Sequence, residues 1–181
     1  MPRITPIDPA AATGETAFQL EASRKMFGGT PNLVTTAAHS PAAVGAMLAM
    51  FAHVGKSSLG PAAGELIAIA VAQSNRCGYC LSAHTAIGQT IGLTPLALAA
   101  ARHAESIDTH TAALLRLAVA INTARGQIDD ATLAVARRAG LRDAEIVEVV
   151  AHVALNVFTN YLNNVADTTI DFPEVSLAAA A

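Results

Sequence analysis

The chain has 181 residues, 52% of them apolar and only 14% charged, with no tryptophan and a formal net charge of −3. That length suffices for one domain with a real core, and the sparse charge, free of any Lys/Arg cluster, gives no footprint for nucleic acid or for an anionic membrane. The N-terminus lacks a signal-peptide stretch and apolar runs such as Ala42 to Val54 fall short of the roughly 20 residues that cross a bilayer, so a soluble, cytoplasmic protein is expected.

Helical punctuation recurs along the chain, and no stretch sustains strand-like alternation, so the expected fold class is all-α. We read residues 1–181 as a single domain with an N-terminal arm over about 1–13 and a C-terminal tail over about 171–181. Helices are expected from Gly14 to Met26, from Pro31 to Ala38, and from Pro41 to Val54, the last with Ser40 as N-cap and Pro41 in its first turn. Gly55 ends that helix. The next runs from about Pro61 to Gln73, breaks at Ser74-Asn75-Arg76, and gives way to one opened by Cys77 and stopped by Gly92. Thr94-Pro95 starts a short helix to His103, Asp108 caps one to about Thr123, Asp129 caps one to Arg138, and a long last helix covers Asp143 to Ala166. With so few charged side chains to coat a lone monomer, burial between subunits is expected as well.

An echo at an offset of 80 residues places Gly60, Glu65, Cys80 and His84 on Gly140, Glu145, Asn160 and Asn164, which suggests an internally duplicated helical unit with a degenerate second site.

Chemistry concentrates in Glu65, Cys77, Cys80 and His84. Both cysteines of the chain sit in one C-x-x-C, with a histidine four residues on. On a helix, positions 77, 80 and 84 share one face. If the preceding helix folds back at Ser74-Asn75, Glu65 and His84 lie equally far from the turn, and the carboxylate comes level with the imidazole. Only a thiolate attacks an O–O or S–S bond, and a free cysteine is a few per cent ionised at neutral pH. Lowering its pKa by about two units takes roughly 2.7 kcal/mol of preferential thiolate stabilisation. Unpaired N–H groups of the first helical turn supply part. A protonated His84 supplies the rest, with Glu65 holding the tautomer.

Other readings compete. Structural zinc would have three ligands here and no obvious fourth, haem attachment would need His where Leu81 stands, and a thioredoxin domain would need strands. A non-enzymatic helical oligomer with an inert C-x-x-C is the plainest alternative. In the last helix, His152, Asn156, Asn160 and Asn163 or Asn164 form a polar seam, read as a buried hydrogen-bond ladder before a direct part in chemistry. His39, His53, His103 and His110 show no partner spacing.

The pattern E-x11-C-x2-C-x3-H resembles the signature of AhpD-like alkylhydroperoxidases within the carboxymuconolactone decarboxylase superfamily, and all four positions match. The segments P-N-L at 31–33, H-S-P at 39–41, T-N-Y-L-N at 159–163 and D-F-P at 171–173 are similar to its longer members. The resemblance implies a helical fold, assembly into a trimer or hexamer, and a thiol peroxidase without metal, haem or other cofactor. In that scheme Cys80 attacks the hydroperoxide, Cys77 resolves, and His84 with Glu65 relays the proton. Tyr79 stands where the best-studied members carry a second histidine; it, Asn160 and Asn164 are expected around the thiols. The implied partners are a hydroperoxide and a thiol reductant such as a lipoyl group or small redox protein. A disulfide reductase or adaptor serving a separate peroxiredoxin is the alternative within redox chemistry.

Overall fold

The computed structural model describes residues 1–178. Among these residues every regular element is helical. A 3-10 turn at Pro9–Ala11 precedes α1 (Gly14–Phe27), α2 (Asn32–Ala37), α3 (Pro41–Val54), α4 (Gly60–Ser74), α5 (Gly78–Thr90), α6 (Pro95–Ala101), α7 (Thr109–Thr123), α8 (Asp130–Arg138) and α9 (Asp143–Ala166). Each expected helix is present, its ends displaced by two residues at most. The caps explain this accuracy. Ser40, Thr94, Asp108 and Asp129 accept the N–H groups of Ala43, Ala97, Thr111 and Thr132 at 3.2, 3.2, 2.7 and 2.8 Å. Each such cap stabilises its helix by about 1 kcal/mol.

Helix α4 is central because its sequence leaves no other place for it. Leu66 to Ala72 are buried without interruption, and a helix apolar all round must be enclosed. It packs against α5, α6, α7 and α9, with Ala68, Ala70 and Ala72 allowing close approach. Full burial of Ile67, Ile69 and Val71 contributes about 1.5–3 kcal/mol for each side chain.

The chain reverses between α4 and α5 at residues 74–76, with Arg76 in the left-handed region at φ 53°. Three amides fix this turn. Asn122 of α7 donates to Asn75 Oδ1 at 2.9 Å, Asn75 donates to Asn160 Oδ1 at 3.1 Å, and Asn164 donates to the Asn75 carbonyl at 3.0 Å. The hairpin is therefore pinned from α7 and α9 together.

One expectation is corrected here. Gly60 to His84 form an antiparallel helix pair, whereas Gly140 to Asn164 run into one uninterrupted α9. The echo is thus not a repeated structural unit, and Glu145 instead accepts the Arg142 N–H at 2.8 Å, capping its own helix. The C-terminal tail expected at about 171–181 carries no helix or strand over residues 171–178, which dock on the helices, and its last three residues lie outside the described residues. Asp171 accepts the Asn32 N–H at 2.8 Å, Val175 donates to Ser82 Oγ at 3.0 Å, and Arg102 donates to the Ser176 carbonyl at 2.7 Å. Among the described residues no helix is long and apolar enough to cross a membrane.

Candidate active site

The pinned hairpin brings the four chemical residues together. Glu65 on α4 and His84 on α5 meet with Nδ1 and Oε2 2.7 Å apart, so the ring N–H donates to the carboxylate. Cys77 is the N-cap of α5, where its Sγ accepts the Cys80 N–H at 3.3 Å. Both thiols are free and buried. From α9, Asn163 Nδ2 donates to Cys80 Sγ at 3.2 Å.

These contacts divide the two sulfurs. Burial opposes ionisation of Cys80 and is the largest influence on it. The hydrogen bond from the Cys77 thiol, the charge of His84 and the amides of Asn163 and Asn160 together outweigh that burial and hold Cys80 at about 7, below an ordinary thiol. Cys77 moves the other way. Its thiol proton is held by the hydrogen bond to Cys80, and burial and the neighbouring negative charge push in the same direction. For His84, burial alone would favour the neutral ring, but the charge and hydrogen bond of Glu65, then the charge of Cys80, raise it above its usual range. The electrostatics thus favour a Cys80 thiolate facing a His84 imidazolium.

Cys80 borders a cavity of about 380 Å³ walled by Phe27, Phe51, Tyr79, Ile87 and Phe172 among others, with His84, Thr90 and Thr159 as its polar edge. Cys77 is not part of that lining. Tyr79 lies where it was expected, beside Cys80. Its hydroxyl accepts the Leu33 N–H at 3.1 Å and its ring meets Phe172 edge-on at 5.8 Å. Burial pushes its phenol well up, so it stays neutral.

The α9 seam departs from the expected ladder. Asn160 faces the thiols while also holding Asn75, but Asn164 is exposed and reaches only the turn carbonyl. The direct thiol contact belongs to Asn163, one residue earlier. His152 bonds Ser57 at 3.0 Å, and His110, read as unpartnered, lies 3.2 Å from Glu145 Oε1. Among the described residues no three His, Cys, Asp or Glu side chains gather as metal ligands.

The chain is all-helical, with a C-x-x-C at the start of a helix backed by a Glu–His pair, and its fold is shared with proteins of known structure. Residues 41–107 match the carboxymuconolactone decarboxylase family. A peroxidase-related protein from Ralstonia eutropha JMP134, an alkylhydroperoxidase AhpD core, superposes with a TM-score of 0.82 at 22% identity, over 94% of this chain and 92% of that one. One from Silicibacter sp. TM1040 gives 0.77 at 24%, over 92% and 91%. The debrominase Bmp8 gives 0.78 at 21%, over 93% and 91%, and a cysteine-to-alanine variant of it is known in complex with 2,3,4-tribromopyrrole. No curated protein sequence matches the chain. At these identities the neighbours speak for the fold alone, and the family match spans residues 41–107, little more than a third of the chain.

Proposed function

We propose that the chain is a thiol-dependent peroxidase acting on organic hydroperoxides with apolar or aromatic substituents. The observation that carries this reading is the placement of Cys80 alone at an aromatic cavity, with Asn163 and the His84–Glu65 pair stabilising its anion. The Cys80 thiolate attacks the distal peroxide oxygen and the O–O bond breaks. The departing alkoxide takes the proton of His84 and leaves as the alcohol, and Cys80 becomes a sulfenic acid. Cys77 gives up its proton as it attacks the oxidised sulfur; the S–O bond breaks, the departing hydroxyl takes that proton and leaves as water, and a disulfide forms. An external dithiol restores both thiols and is itself oxidised.

The aromatic wall favours a second reading, reductive dehalogenation of a halogenated ring, the activity named for Bmp8. There the thiolate would take the halogen, His84 would protonate the ring carbon, and Cys77 would expel halide as the disulfide forms.

The test pairs alkylation of Cys80, measured against pH in a Cys77→Ser background, with consumption of cumene hydroperoxide by the intact chain and dithiothreitol. Cys80 should react with a midpoint below that of free cysteine, and His84→Ala should raise it. A Cys80 thiol that titrates like free cysteine, unchanged by His84→Ala, would end both readings. Halide release from a bromopyrrole without hydroperoxide turnover would select the second. Reduction of a peroxiredoxin disulfide without direct turnover would make the chain an adaptor.

A further inference from the structure

Behind the His84–Glu65 pair lies a second, more polar chamber of about 150 Å³, whose lining includes Ser57, Gly64, Glu65, His84, His152 and Asn156. His84 borders both this chamber and the aromatic cavity of Cys80. Exposed Gly55 and Pro61 form part of its outer rim. His152, buried on α9, places Nε2 3.0 Å from Ser57 Oγ. Its ring fits because residue 64 has no side chain: a Cβ on Gly64 would stand 3.0 Å from His152 Cε1.

The groups facing His152 are Glu148 on its own helix, Glu65 on α4 and His84 on α5. Burial lowers the ring's proton affinity most. The two carboxylates oppose that effect, the charge of His84 adds to it, and the ring ends below the usual histidine range. Such an imidazole does not hold a permanent charge and can pass protons in either direction. On the walls of the aromatic cavity the hydroxyls of Tyr79, Thr90 and Thr159 are engaged with the backbone of Leu33, Ile87 and Leu155.

We infer that His152 and Ser57 form a proton port, carrying protons between solvent and the Glu65–His84 pair through the polar chamber. The chamber is roomy and polar enough for water to bridge the remaining gaps. Inward, a proton reaches His152 on the Ser57 side and one is handed through water to Glu65; outward, the order reverses and the charge balance is restored. His152 acts through Glu65 and His84 and is a positioning residue. The port rests on His84 serving Cys80 as proton acceptor, but its test needs no peroxide.

The proton in the short His84–Glu65 hydrogen bond should give a far-downfield NMR resonance whose exchange with water can be timed in the intact chain. His152→Gln should slow that exchange on the order of a hundredfold or more, as expected when a positioned acid–base group is lost. Added imidazole should restore it, and Ser57→Ala should slow it less. The pH midpoint of Cys80 alkylation should stay the same in both variants. Wild-type exchange in both, or a displaced Cys80 midpoint marking a merely structural role, would overturn the port. If His152→Gln does not fold, Ser57→Ala decides by the same two measurements.

Discussion

At the scale of single residues, Cys80 owes its acidity to contacts that reward the anion alone. Asn163 is the most direct of them, and its side-chain oxygen Oδ1 is buried without a hydrogen-bond partner. Replacing Asn163 with leucine therefore removes the donor to sulfur and breaks no other side-chain bond among those described. A hydrogen bond to a charged group contributes about 1.5–3 kcal/mol, and one pKa unit corresponds to about 1.4 kcal/mol. The alkylation midpoint of Cys80 should rise by about one to two units from its value near 7, reducing the thiolate fraction at neutral pH. Asn164→Leu, at a position whose side chain hydrogen-bonds the Asn75 carbonyl and not the thiols, should leave the midpoint where it is. The sequence makes the four chemical residues legible because their spacing along a helix hairpin determines their meeting. It does not decide between Asn163 and Asn164. That choice follows from the rotation of α9 about its axis, set by the burial of Val149, Val153 and Leu155.

At the scale of elements, local signals carry far and distant ones do not. Caps and the Ser74–Arg76 break depend on neighbouring residues, so the helices can be read from the chain. The docking of residues 171–178 depends on partners such as Asn32, Ser82 and Arg102, far away in sequence, and composition alone suggests a tail. The close approach of α5 to α6 is equally silent in the sequence. A Cβ on Gly88 would lie 2.6 Å from Leu98 Cδ2 and 3.2 Å from Leu93 Cδ1. Alanine in a helix gains up to about 1 kcal/mol over glycine. Overpacking typically costs about 1–3 kcal/mol, and Leu98 is itself buried and has little room to yield. Gly88→Ala should thus destabilise the fold by about 1–2 kcal/mol, seen as a fall in Tm of about 2–8 °C. A Tm at or above wild type would mean that α6 moves away without cost. The combined Gly88→Ala and Leu98→Val variant should recover part of the loss, since the two changes share one contact.

At the scale of the whole molecule, the outer face of α9 is the feature a lone chain leaves unexplained. Val147, Val150, Ala154, Tyr161 and Val165 recur at intervals of three, four and seven residues and so form one narrow stripe. The four larger side chains keep 67%, 48%, 56% and 64% of their surface exposed. A contiguous apolar strip along the longest helix marks an interaction surface, and the low charge content of the chain points the same way. We expect copies of the chain to associate through this stripe. Val150→Lys combined with Tyr161→Glu should reduce the mass measured by light scattering to that of one chain, with the far-UV helical signal retained. A wild-type chain already of single mass would remove the basis of this expectation. The same variant also separates assembly from chemistry, because the opposite face of α9 carries Asn160 and Asn163. Both Asn75 and Cys80, which those amides hold, belong to the same chain. The Cys80 alkylation midpoint should therefore survive dissociation, and a rise toward the value of free cysteine would mean that neighbouring subunits hold α9 in the rotation that serves the thiolate.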